Sequence, residues 1–175
     1  MRIRIGRLFI ITGISSLSLA LLFGVLAAVQ FIFPDFIPEI TFYKARPLHV
    51  SLAVSWIFSI GIGAVYNYLE EREIIRFKIA GLIHWICYVV TGILIIVSYL
   101  QGTFGGREYW EFPPILSIPI LCSWLLFGLV FFSSVIKLKN WPVYLWMWAT
   151  GIVIFFVTFL EANSWVFEYF SNSAV

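Results

Sequence analysis

The chain has 175 residues, of which 62% are apolar, 19% aromatic and only 11% charged, a balance that excludes an ordinary water-soluble domain. Its formal net charge of +2, from 11 basic and 9 acidic residues, is too small to argue for nucleic acid as a partner. Apolar runs of about twenty residues recur along it, the length that crosses a hydrocarbon core of roughly 30 Å. The fold class this predicts is all-α: a polytopic bundle of five transmembrane helices, forming one membrane domain over residues 1–175.

In chain order, "MRIRIGR" leads into a first span at 8–33. Its length, about 26 residues, and the lack of a closing small-residue cleavage site predict a retained helix rather than a secretory leader. A loop, "PDFIPEITFYKARP", precedes the second span at 47–69. The short connection "EEREIIRFK" leads to the third span at 79–100. After it comes the loop "GTFGGREYWEFPP", then a fourth span at 115–136, the connection "KLKN" and a fifth span at 142–160. Glu161 marks where that helix leaves the hydrocarbon, and an aromatic interfacial stretch is expected to continue toward Phe170. Trp146 and Trp148 lie deep enough in it to be packing residues.

The connections "EEREIIRFK" and "KLKN" are short, so consecutive helices should be antiparallel neighbours. The two longer loops combine proline, glycine and aromatic residues, a mixture that predicts ordered, partly buried segments. Eight basic residues (Arg2, Arg4, Arg7, Arg72, Arg76, Lys78, Lys137 and Lys139) fall on one side of the bundle, against Lys44, Arg46 and Arg107 on the other. The positive-inside rule then puts the N-terminus in the cytoplasm and the C-terminus outside. Cys87 and Cys122 fall inside spans, where a thiol is expected to be a small packing residue; neither disulfide nor zinc spacing is present.

Ionisable residues in or beside spans are functional candidates. His49 is expected in the first turn of the second span, about 5 Å below the outer interface by helical rise. It is either an interfacial histidine with one wet face or an axial metal or haem ligand. Arg46, one turn earlier on the same face, could pair with a cofactor carboxylate, and Gly61, Gly63 and Ala64 further along leave room for a helix or a flat ring. His84 lies near the opposite end of the third span, roughly 15 Å from His49 in depth, so one iron cannot use both. It is expected to pack or hydrogen-bond. Glu108 and Glu111 flank Tyr109 and Trp110; in a helical turn both carboxylates would face one way, as a calcium site needs, the alternative being a solvated loop anchored by aromatics.

"ARPLHVSLAVSW", "GREYWEFP" and "VYLWMWATGIVIFFVTFLEANSW", in this order and on these spans, resemble the N-terminal, five-helix part of the haem–copper oxidase large subunit. The likeness is nearest to nitric oxide reductases and C-type cytochrome c oxidases. It implies that His49 is an axial ligand of the low-spin haem b near the outer face and that Arg46 pairs with a propionate. Glu108 would approach a calcium ion, with Glu111 as second acid of that loop. It also implies a respiratory electron-transport complex in the cell's inner (cytoplasmic) membrane that reduces NO or O₂.

Such subunits have about twelve spans, and the later ones carry the remaining haem and active-site metal ligands. No catalytic residue is therefore expected here, and a catalytic role would require a second polytopic membrane subunit to complete the bundle, with a cytochrome c subunit or quinol as electron donor; a truncated gene product or degenerate paralogue is the alternative to such a split. Gly61/Gly63, Ala80/Gly81 and Gly151 offer small-residue faces for that docking. Two other readings stand beside it: an accessory or assembly protein that binds no haem, and an unrelated small transporter half. The absence of charged residues at mid-membrane argues against transport.

Overall fold

A computed structural model describes residues 4–105 and 109–163. Five α-helices account for most of them: α1 (Ile5–Ile32), α2 (Phe42–Glu71), α3 (Lys78–Leu100), α4 (Ser117–Val135), introduced by a 3-10 turn at Pro114–Leu116, and α5 (Val143–Ala162). All five are long and apolar enough to cross a membrane, and no strand occurs among the described residues. The chain is thus a multi-pass helical membrane protein, as its hydropathy predicted.

The helix ends follow local chemistry. α1 stops before Pro34, which restrains the residue preceding it. α3 closes with Gly102 at φ +75°, where Gly102 N–H donates to Tyr99 O and Thr103 N–H to Ser98 O, a Schellman arrangement. α2 ends in the same pattern with Glu73 in the left-handed position.

The start of α2 departs from expectation. The helix begins at Phe42, with Lys44 and Ala45 N–H both donating to Thr41 O, so Pro47 lies inside it instead of opening it. Pro47 donates no hydrogen bond, which costs the helix one rung of its ladder. His49 consequently lies two turns into α2 rather than in its first turn.

Helices α1 and α2 form the tightest pair. Gly6, Gly13, Ala20 and Ala27 recur every seventh residue on α1 and all are buried. A Cβ at Gly6 would fall 2.6 Å from Asn67 N, and one at Gly63 would fall 3.0 Å from Gly6 O, so here the backbones approach as only glycine allows. Glu70 closes the pair: Oε1 accepts from Ile5 N–H at 2.9 Å and Oε2 from Gly6 N–H at 3.2 Å, satisfying amides that the first turn of α1 leaves unpaired. Gly81 is likewise used inside the chain, against Ile5 and Tyr66. Of the proposed docking glycines, Gly61 and Gly151 stay open, with nothing within 4 Å of an added Cβ.

The main core joins Phe9, Tyr66, Phe127, Phe131 and Leu145 toward the end of the bundle that carries Glu70. A smaller cluster of Leu48, Tyr99 and Phe112 lies toward the other end. Trp148 packs against Tyr68 and Tyr144, and Trp146, though 60% exposed, packs against Trp141 with ring centroids 4.9 Å apart, so both tryptophans make packing contacts inside the chain. Cys122 is exposed and Cys87 half-buried, both as free thiols. The loop between α1 and α2 is mostly exposed, and Gln30 ties it down by donating to Ile37 O and Ile40 O. The stretch expected to run on toward Phe170 lies outside the described residues.

Candidate haem-ligating end

His49 and Arg46 project from the first half of α2, and the loop after α3 comes down beside them. The His49 ring is half-buried against α1, its Nδ1 2.8 Å from Ala20 O. A carbonyl only accepts, so Nδ1 carries the proton and donates. In the neutral ring Nε2 then keeps its lone pair, the tautomer that a metal-binding imidazole requires. The ring sits over Gly24: a Cβ there would fall 2.7 Å from Nδ1 and 2.9 Å from Cε1. A glycine and a carbonyl of α1 therefore fix the plane and tautomer of this histidine.

Arg46 pairs with Glu111 through Nη2 and Oε1. The guanidinium is 41% exposed and Glu111 17%, which leaves several of the five arginine donors available to a second anion. The pair clamps the loop: Gly105 N–H donates to Glu111 O, Phe112 is buried, and Trp110 packs on Phe112 and Phe159. Residues 109–112 are not helical, and Tyr109 sits at φ 68°. The helical turn expected to align two carboxylates is therefore absent at Glu111. Glu108 lies outside the described residues. Among the described residues no three His, Cys, Asp or Glu side chains converge as a metal site.

His84 is elsewhere and differently placed. It is fully buried, with Nδ1 2.9 Å from Tyr66 Oη, the Phe9 ring 4.7 Å away and Phe127 stacked at 5.5 Å. It packs and hydrogen-bonds, as its position predicted. Sequence reasoning missed Ala20, Gly24 and Glu70. The seven-residue spacing of small side chains on α1 was the available signal for the first, since it marks the face that meets α2.

Residues 4–173 match the family described as Cytochrome C and Quinol oxidase polypeptide I. The chain belongs to this family. Its similarity extends to the cytochrome c oxidase subunit 1 homolog of Azorhizobium caulinodans, 28% identical over 152 residues, which are 82% of this chain and 27% of that protein. A bacteroid homolog from Bradyrhizobium diazoefficiens is 28% identical over 151 residues, 81% of this chain and 27% of that protein. The Cbb3-type cytochrome c oxidase subunit CcoN1 of Stutzerimonas stutzeri is 26% identical over 145 residues, 79% and 30% respectively. The aligned part is thus less than a third of each relative's length. Family membership confirms the resemblance to the N-terminal part of a haem–copper oxidase large subunit.

Proposed function

We propose that this chain is the N-terminal, haem-ligating part of a respiratory haem–copper oxidase or nitric oxide reductase-like large subunit. His49 Nε2 is one axial ligand of the low-spin haem b, and Arg46 engages a propionate with the donors that Glu111 leaves. The observation that carries the reading is the Nδ1–H···Ala20 O bond over Gly24, which holds the imidazole in the ligating tautomer. A haem bound there would supply one-electron transfer. The chain's own residues orient the imidazole, present the Arg46 cation at the same end, where it would hold an acidic group of the haem, and cover that end with an aromatic loop.

In this reading the remaining helices and the active-site histidines pack against these five spans, and the catalytic metal ligands are theirs. Electrons reach the assembly from a cytochrome c subunit or quinol, and the complex sits in the cell's inner membrane. In the same reading calcium is held by Glu108, while Glu111 steadies the loop through Arg46. Family membership and the relatives' names as cytochrome c oxidase subunits support the respiratory assignment.

The test is affinity purification from native membranes in mild detergent, with a reduced-minus-oxidised spectrum and identification of co-purifying chains. The expected result is a haem b signal, a polytopic respiratory partner, and loss of the low-spin signal in His49→Ala. A colourless protein without such a partner would overturn the reading and favour an accessory role.

A further inference from the structure

A cavity of about 420 Å³ lies between the α1–α2 pair and the α3–α4 pair; Leu48 lines it, but its neighbour His49 does not. Among the described residues its walls are mostly apolar and include no Asp, Glu, Lys, Arg or His side chain. Hydroxyl groups are set into them. Tyr88 donates to Ser55 O at 2.9 Å and its oxygen accepts from the Ser59 and Ser55 hydroxyls; Tyr99 and Ser51 hydroxyls meet at 3.1 Å. These bonds satisfy one another. Ser123 differs: the residue is only 4% exposed, it lines the cavity, and no hydrogen bond of its hydroxyl occurs among the described residues.

The cavity opens sideways. Ile11 and Leu19 of α1 and Ile93 of α3 line it yet are 51%, 40% and 54% exposed, and Gly92 beside them leaves open space where a Cβ would stand. These residues lie within the apolar lengths of α1 and α3, so the opening faces lipid or a neighbouring helix rather than water. The other mouth is covered by Trp110 and Phe112 of the clamped loop.

A mostly apolar chamber of this size with a few convergent polar groups is a small-molecule site in form. With no charge in its walls it disfavours ions, which would be stripped of water without compensation. We propose that it binds an uncharged lipid-phase molecule with an apolar body and one hydroxyl or carbonyl oxygen, entering between α1 and α3 and hydrogen-bonding to Ser123. The site is separate from the haem-ligating residues and does not depend on their assignment.

A diazirine-bearing octanol is the probe, photolysed in native membrane vesicles containing the full assembly, with labelled residues mapped by mass spectrometry. Labelling is expected to concentrate on cavity residues such as Tyr88 and Tyr99 and to fall about tenfold with excess unlabelled octanol. Gly92→Leu, which places a side chain in the portal, should reduce cavity labelling by a similar factor. Gly151→Leu, equally open but outside the cavity, should leave it unchanged, and Ser123→Ala should weaken competition severalfold. Labelling spread over lipid-facing helix surfaces, or cavity labelling that survives both competition and Gly92→Leu, would overturn the proposal.

Discussion

The two histidines divide the molecule into two chemical regimes. Each has Nδ1 fixed by a hydrogen bond, His49 to the Ala20 carbonyl and His84 to the Tyr66 hydroxyl. Beyond that bond they diverge. The Nε2 of His84 is buried without a partner beneath Phe9 and Phe127, so nothing larger than an adjusted side chain could reach it. His49 stands half-exposed at the edge of the α1–α2 pair, and its bond partner is a pure acceptor, which leaves no ambiguity about the tautomer. Tyr66 can donate or accept, so His84 is not held to one tautomer in this way. The contrast teaches that burial and hydrogen bonding do not by themselves make a ligand; the free nitrogen must face space.

The sharpest break of this contrast is reciprocal substitution. His49→Ala should reduce low-spin haem b to background while the chain remains in the membrane at normal abundance. His84→Ala should leave the haem spectrum unchanged and instead lower stability by about 3 kcal/mol, from the lost ring volume and the orphaned Tyr66 hydroxyl, read by denaturant titration in detergent. Haem loss in His84→Ala at full stability would reverse the assignment of the two residues.

A finer test leaves both histidines in place. Gly24→Val puts atoms where the His49 ring lies and should lower haem occupancy about tenfold, the scale expected when a residue that orients a ligand is disturbed. Gly151→Val, at an open position on α5, should have no such effect. Equal haem content in the two variants would show that the Gly24 seat does not orient the ligand.

The five spans were legible because hydropathy over about twenty residues is a property of composition, indifferent to packing. The beginning of α2 was not, because Pro47 read as a first-turn residue, whereas Thr41 O already receives the Lys44 and Ala45 amides. His49, Arg46 and Glu111 were legible as chemistry, being ionisable residues beside apolar runs. Their geometry was not: that Arg46 meets Glu111, and that His49 rests on Ala20 and Gly24, depends on how α1 and the loop after α3 register against α2. Glycines proved ambiguous for the same reason. Gly63 and Gly81 serve contacts inside the chain and Gly61 and Gly151 do not, though all four read alike as small residues on spans.

The end of the bundle that carries His84 makes its own smaller prediction. Glu70→Ala removes both acceptors from the first turn of α1 and should cost about 1–2 kcal/mol, seen as a lower unfolding midpoint with unchanged haem content. Glu70→Gln, which keeps one carbonyl oxygen but loses the charge, should fall between Ala and the native residue. A full loss in Gln would mean that the charge, rather than the hydrogen bond, holds α1 to α2.

The smallest effect distinguishes two roles for Arg46. As a partly exposed ion pair, Arg46 and Glu111 contribute on the order of 1 kcal/mol to stability, and breaking it would loosen the loop alike from either side. If Arg46 also faces a haem propionate, the two substitutions act oppositely on the haem. Arg46→Gln removes a positive charge that favours the electron-rich reduced state and should lower the midpoint potential. Glu111→Gln leaves that charge less compensated and should raise it, each by on the order of tens of millivolts. A redox titration of the two variants decides between the roles, since opposite signs require Arg46 to act on the haem by its charge. Shifts of the same sign, or none, would confine the pair to clamping the loop at the His49 end.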